Sequence, residues 1–196
     1  MKSQARASLS DRTGMAAHSP PQPPSRREGG DHPSLLERVP KEVLSICNTL
    51  RQHEKRGWIV GGCVRDLLRG GTPKDWDVAT DARPEEVKRF FPKVIDTGIA
   101  HGTVTVLMRK VPYEVTTLRG EGAYTDGRRP DSVEFVDDIQ ADLARRDFTI
   151  NAIALDPIDG HVIDPFGGQS DLAAGVIRAV GDALERFAED GLRVLR

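Results

Sequence analysis

The sequence predicts an α/β fold, a short mixed sheet with helices packed to one side, preceded by a disordered N-terminal tail. Two stretches carry the fold. Trp58-Ile59-Val60 is an apolar run that enters Gly61-Gly62 and then a segment with Val64, Leu67 and Leu68 three and four apart, the pattern of a strand, a tight turn and a helix. His101 to Met108 and Val111 to Leu118 alternate apolar and polar residues about Arg109-Lys110, the pattern of a hairpin. The tail follows from composition: Met1 to Pro33 is rich in Ser, Pro, Arg, Gln and Gly and nearly lacks branched apolar residues, so it has little to bury.

From Ser34 to Arg56 the apolar residues between Leu35 and Leu50 recur at helical spacing, with Pro40 suited to a first turn, and Gly57 ends that helix. After the glycines, a strand runs from Asp75 to Ala79. The Asp, Pro and Glu content of Thr80 to Glu86 marks a helix entrance, and Pro92 stops that helix after Phe91. Beyond the hairpin, Arg119 to Asp131 is Gly-rich, charged and nearly without aliphatics, which predicts a mobile loop. Val133 begins a short strand, and Asp138 can cap a helix through Ala144. Ile153-Ala154-Leu155 and His161-Val162-Ile163 read as a second hairpin, Ile177 to Val180 as a last strand, and Asp182 as the cap of a helix through Phe187.

Composition bounds the function. A chain of 196 residues holds one domain with a tail, and its apolar share of 38% is low because of that tail. It offers no long apolar run, so neither a signal peptide nor a membrane span is expected. A net charge of −2 excludes a uniformly basic nucleic-acid surface; any basic character is local. Cys47 and Cys63 lack metal-ligand spacing and fit a reduced, cytoplasmic compartment.

The chemistry concentrates around Gly61-Gly62. Paired glycines between a strand and a helix let the backbone approach phosphate oxygens. Alternation along a strand would put Asp75 and Asp77 on one face, with Trp76 on the other. Two adjacent carboxylates repel, and a hard divalent cation such as Mg2+ is the usual way to keep both ionised. Val64, Leu67 and Leu68 can pack inward and leave Arg65 free to face a triphosphate. Glu114 shares a face with Thr116 and is the candidate third acid from a neighbouring strand; an edge-strand glutamate in solvent is the competing reading. Arg145-Arg146-Asp147 with Asn151 offers charge-assisted donors for phosphate and acceptors for ribose hydroxyls, against a simple Arg145–Asp147 pair.

Taken together, Gly-Gly-x-Val-Arg-Asp at Gly61 to Asp66, Asp-x-Asp at Asp75 to Asp77 and the string Arg145 to Ala152 resemble the first two motifs of the class II tRNA nucleotidyltransferases (CCA-adding enzymes) and the related bacterial poly(A) polymerases. Asp164-Pro165-Phe166-Gly167-Gly168 is similar to that family's third motif. Glu189-Asp190 followed by Arg193 is similar to the motif that reads the incoming base there, although Gly191 stands where the family commonly has proline. The resemblance implies a polymerase-β-like nucleotidyltransferase head over residues 34–181, a tail over 1–33 and the start of neck helices over 182–196, where the chain stops inside a helix that would continue. It implies Asp75, Asp77 and Glu114 as catalytic acids, the first two holding Mg2+. Gly61, Gly62 and Arg65 would orient the triphosphate, Arg146, Asp147 and Asn151 the sugar side, and Asp190, Arg193 and Arg196 the base. The resemblance would let Arg128 and Arg129, in the loop, touch triphosphate or RNA, against the competing reading of a merely solvated arginine pair. The activity implied is template-independent addition of CMP and AMP from CTP and ATP to the 3′ end of tRNA. The alternatives are an ATP-only poly(A) polymerase and a non-catalytic nucleotide-binding fragment.

Overall fold

A computed structural model describes residues 33–120, 134–189, 191 and 193. The expected tail and the loop arginines Arg128 and Arg129 lie outside the described residues, as do Asp190 and Arg196. Seven strands form one sheet: β1 (Gly57–Val60), β2 (Asp77–Thr80), β3 (Val94–Gly98), β4 (Thr103–Met108), β5 (Val111–Thr117), β6 (Ala154–Leu155) and β7 (Val162–Ile163). Their order is β3-β4-β5-β2-β1-β6-β7, antiparallel except where β2 lies parallel to β5. That parallel pair is the one the site depends on. Its crossover, through a helix, β3 and β4, brings Glu114 into register with Asp77.

The helices are α1 (Pro33–Leu36), α2 (Lys41–Gln52), α3 (Gly62–Leu68), α4 (Pro84–Phe90), α5 (Ile139–Ala144), α6 (Gly168–Ala174) and α7 (Ala183–Glu189). Strand alternation divides the core in two. Ile59, Val78, Val104, Val115 and Leu155 face α2, α3 and α4, and the helices answer with Val43, Ile46, Leu50, Val64, Leu67 and Val87. Trp58, Val60, Ala79 and Ala154 face the other way, where Ile139 and Leu143 of α5 cover them. The expectation that helices pack to one side is therefore corrected. α5 needs the second face because its own apolar stripe, Ile139 and Leu143, must be buried. It covers only part of that face, and the uncovered part carries Asp77, Glu114, Thr103 and Thr116.

Local chemistry explains most element ends. Asp138 accepts from the Gln140 amide at 3.1 Å to start α5, and Asp182 accepts from the Leu184 amide at 2.8 Å to start α7. Arg109 and Lys110, with φ of 51° and 72°, make the β4–β5 turn as the sequence suggests. Three expectations differ. Val94 to Gly98 is an edge strand that its mostly exposed residues concealed. Val133 itself lies outside the described residues; among these, the strand expected from it is represented by an isolated bridge between Arg119 and Phe135, and Ile177 to Val180 contributes a bridge, Ala179 to Phe148, in place of a strand. Among the described residues no helix is long and apolar enough to cross a membrane.

Candidate active site

The uncovered face of β2, β5 and β4, the β1–α3 turn and the segment after α5 enclose an open cleft of about 390 Å³. The turn is the first wall. Gly61 has φ 78° and ψ −135°, a region open essentially to glycine, and its amide donates to the Ile153 carbonyl at 3.1 Å. A Cβ there would stand 2.7 Å from Nη1 of Arg146. Gly61 is thus required twice, by its backbone and by a guanidinium. Gly61→Ala is expected to lower stability by about 1–2 kcal/mol and to displace Arg146, which a melting curve and a nucleotide titration would read together.

The second wall is acidic. Asp77 is half-buried, and burial, followed by the Glu114 carboxylate, raises its pKa above the ordinary aspartate value; Arg146 opposes the shift and Asp75 adds to it. Asp75 precedes β2 in a bend and is exposed, while Trp76 between the two acids is buried. The expected strand thus begins two residues late, at Asp77. The two carboxylates still interact, and the hydrophobic residue between them still points into the core. Among the described residues no group of three or more His, Cys, Asp and Glu could hold a metal ion. Two aspartates completed by phosphate and water oxygens are a usual complement for magnesium, and the unfavourable ionisation of Asp77 beside Glu114 is the strain that a hard cation relieves. The donor set fits.

The third wall is built on one buried acid, Asp142. Its Oδ1 accepts from Arg145 Nη2 at 2.7 Å, Arg145 Nε at 3.0 Å and the Arg119 amide at 3.1 Å, and its Oδ2 accepts from Arg146 Nη2 at 3.2 Å. Burial pushes the Asp142 carboxyl up, but Arg145 and Arg146 outweigh it and hold the group below the ordinary range. Arg146 also donates to the Asn151 carbonyl at 3.4 Å, and its buried Nε has no hydrogen-bond partner among the described residues. Beside it, Asp147 Oδ1 accepts from the Phe148 amide at 2.8 Å and from Asn151 Nδ2 at 3.2 Å. Carboxylates and guanidiniums thus line the same cleft.

A family model described as the poly A polymerase head domain matches residues 57–178. The chain belongs to that family. It is similar to the CCA-adding enzyme of Geobacillus kaustophilus (strain HTA426), 53% identical over 156 residues that cover 80% of this chain and 38% of the relative. With the CCA-adding enzyme of Lactococcus lactis subsp. lactis (strain IL1403) the identity is 50% over 167 residues, 82% of this chain and 42% of the relative. Among solved structures it is similar to the Bacillus stearothermophilus CCA-adding enzyme in complex with CTP, with a TM-score of 0.72 and 47% identity over 80% of this chain and 37% of that one. It is also similar to the Thermotoga maritima CCA-adding enzyme complexed with tRNA, with a TM-score of 0.64 and 32% identity over 85% of this chain and 39% of that one. The chain spans about two fifths of the length of the curated relatives it matches.

In this head domain Gly61, Gly62, Arg65, Asp77, Glu114, Arg146, Asp147, Asn151 and Arg193 all line one cleft. Arg65 differs from its expected freedom. Its Nη1 donates to Asn151 Oδ1 at 2.7 Å and its Nη2 pairs with Asp66 at 2.9 Å, so the guanidinium is held at the rim. Arg193 is buried, and its Nη1 donates to the Arg186 carbonyl at 2.8 Å. Sequence reasoning assigned no role to Asp142 or Arg119 and named Arg145 without its true partner. Asp142 stands three and four residues before Arg145 and Arg146, the helical spacing for ion pairs, and that signal was available. The pairing of Arg145 with Asp147 does not occur among the contacts of Arg145; Asp142 takes that place.

Asp164 to Gly168 is scaffold. Asp164 accepts from the Gly168 and Gln169 amides at 2.7 and 2.9 Å, opening α6 against the 3-10 turn Thr149–Asn151. Thr149 Oγ1 then donates to Asp171 Oδ2 at 2.7 Å, and Arg178 pairs with both oxygens of that carboxylate.

Proposed function

We propose that the chain is the catalytic head of a template-independent RNA nucleotidyltransferase that transfers CMP and AMP from CTP and ATP to the 3′ end of tRNA. The observation that carries the reading is the cleft's mixture of charge, Asp77 beside Glu114 on neighbouring strands with Arg65 and Arg146 lining the same space. In the reaction the RNA 3′ oxygen attacks the α-phosphorus, the bond from that phosphorus to the β-phosphate oxygen breaks, and pyrophosphate leaves. Asp75 and Asp77 would hold magnesium, with Glu114 as the neighbouring acid. The metal, when bound, supplies charge that polarises the phosphate oxygens and eases deprotonation of the attacking hydroxyl.

The chain's own groups do the positioning. Gly61 and Gly62 let the phosphates come close to the backbone, and Arg65 and Arg146 draw them to one wall. Asp147 and Asn151 address ribose hydroxyls, which ATP and CTP share. Asp190, Arg193 and Arg196 address the base edge, and α7, beyond the matched span, opens the neck. A reduced, cytoplasmic setting is supported by two unpaired cysteines, Cys47 and Cys63, whose thiols burial pushes up to about 12 and about 11 and so leaves inert.

The test is purified protein with magnesium, labelled CTP and ATP, and tRNA lacking its terminal residues. Incorporation of C before A is the expected result. Long tails from ATP alone would replace this reading with polyadenylation. Nucleotide binding without incorporation would reduce the chain to a binding fragment.

A further inference from the structure

We infer that Asp142 is a positioning residue for the triphosphate: a buried carboxylate that gathers the Arg145 and Arg146 guanidiniums into one cationic wall of the cleft and anchors the backbone of Arg119 beside it. The inference rests on the nucleotide-addition reading. The two neighbouring guanidiniums of Arg145 and Arg146 repel each other, and such a pair left to itself would splay into solvent. Asp142 is 1% exposed and spends both oxygens on the cluster: Oδ1 on the Arg119 amide and on Arg145, Oδ2 on Arg146. Arg145 Nε donates back to the Arg119 carbonyl at 3.2 Å, so the end of β5, the strand that carries Glu114, is tied to the same acid.

The orientation of Arg146 is the consequence that matters. Asp142 Oδ2 takes its Nη2, the Asn151 carbonyl takes its Nη1, and the space left by the missing Cβ of Gly61 receives Nη1. A side chain with that many torsions would otherwise lose rotamer freedom on meeting a phosphate, and here it is ordered beforehand. Neutralising Asp142 has two opposed effects. It raises the positive potential of the wall, which favours an anion, and it releases Arg145 and Arg146 from their direct, charge-assisted bonds. Contact geometry outweighs potential, because the carboxylate touches the guanidiniums while its charge reaches a phosphate only through them and the open, solvated cleft.

The experiment compares CTP affinity, with magnesium, for the full chain and its Asp142→Asn, Arg146→Ala and double variants, each checked for folding by circular dichroism. Asp142→Asn is expected to weaken CTP about tenfold. In the Arg146→Ala background the same change should do little, because the two residues act as one unit. Asp142→Glu should restore part of the loss. Full additivity of the two single changes, or tighter CTP binding by Asp142→Asn, would overturn the inference, the first showing general destabilisation and the second a mere charge effect. Should Asp142→Asn fail to fold, Arg146→Lys keeps the test alive: it retains the charge but loses the fork, and CTP affinity equal to wild type would show that held geometry is irrelevant. Wild-type protein that does not bind CTP at all defeats the nucleotide-addition reading instead, a result distinct from any of these.

Discussion

Asp77→Asn is expected to reduce nucleotide incorporation by roughly a thousandfold or more while making the metal-free protein more stable. The loss follows from the donor set. Asp77 is the one acid of the pair that lines the cleft, with Asp75 on the exposed bend before it. Replacing it with an amide removes the charge that would hold the proposed cation, and a metal's stabilisation of phosphoryl transfer is worth several kcal/mol, at one decade per 1.36 kcal/mol. The gain follows from the same electrostatics. Asp77 faces Glu114 across β2 and β5 in direct register, and facing like charges cost a few tenths to about 1 kcal/mol.

The pH dependence separates the two effects. Burial and Glu114 raise the Asp77 pKa in the folded state, so the fold binds that proton more tightly than the unfolded chain does. Below the unfolded aspartate value, about 3.9, both states are protonated and the residue contributes nothing. As pH rises from there through the raised folded value, ionised Asp77 progressively destabilises the fold, and above it the penalty is complete. Asp77→Asn should therefore melt roughly 1–4 °C above wild type at pH 7 to 8 in the presence of a chelator, with the difference closing towards pH 4. Saturating magnesium should shrink the gap by stabilising only the wild type. A variant that melts at or below wild type in chelator at pH 8 would show that the two carboxylates do not strain each other.

How much of this was legible in the sequence depended on range. α2, the β4–β5 hairpin, the caps at Asp138 and Asp182 and the Gly61-Gly62 turn are local patterns, and periodicity and turn chemistry are enough to read them. The edge strand β3 was not legible, since its consecutive residues Ile95, Asp96 and Thr97 are all exposed, and a strand open on both faces has no alternation to display. The second helical layer was missed for a different reason. A six-residue helix such as α5 shows only Ile139 and Leu143 as an apolar stripe, and nothing local says which sheet face they will meet. At the site, the glycines, the aspartates and the Arg146 to Asn151 string could be placed by motif. The neighbourhood of Glu114 and Asp77 needed the parallel β2–β5 pairing, a contact across a long crossover that no spacing encodes. Arg65 illustrates the remaining gap: helical spacing gave the side of α3 it occupies, but the partner that fixes it, Asn151, lies 86 residues away.

Gly168→Ala is expected to lower stability by about 3 kcal/mol or more and to disable the cleft without touching a residue that lines it. A Cβ at Gly168 would lie 2.2 Å from the Thr149 carbonyl oxygen, 2.8 Å from its carbon and 2.9 Å from Ile153 Cδ1. Two of those three atoms are backbone, so no rotamer change relieves the overlap; α6 and the Thr149–Asn151 turn must move apart. Inserting even one methyl group into a packed interior costs typically 1–3 kcal/mol, and the absence of a yielding side chain puts this case at or beyond the upper end. The displaced turn carries Asn151, whose side chain joins Arg65 to Asp147 and whose carbonyl receives Arg146. Separation of α6 also strains the bond from Thr149 Oγ1 to Asp171. The measurement is a denaturant melt of Gly168→Ala with and without CTP and magnesium. Wild type should gain stability from the ligand by mass action, and the variant should gain little at the same concentration. A variant with wild-type stability would mean that α6 sits loosely on the turn, and the nucleotide wall would then owe its shape to Asp142 alone.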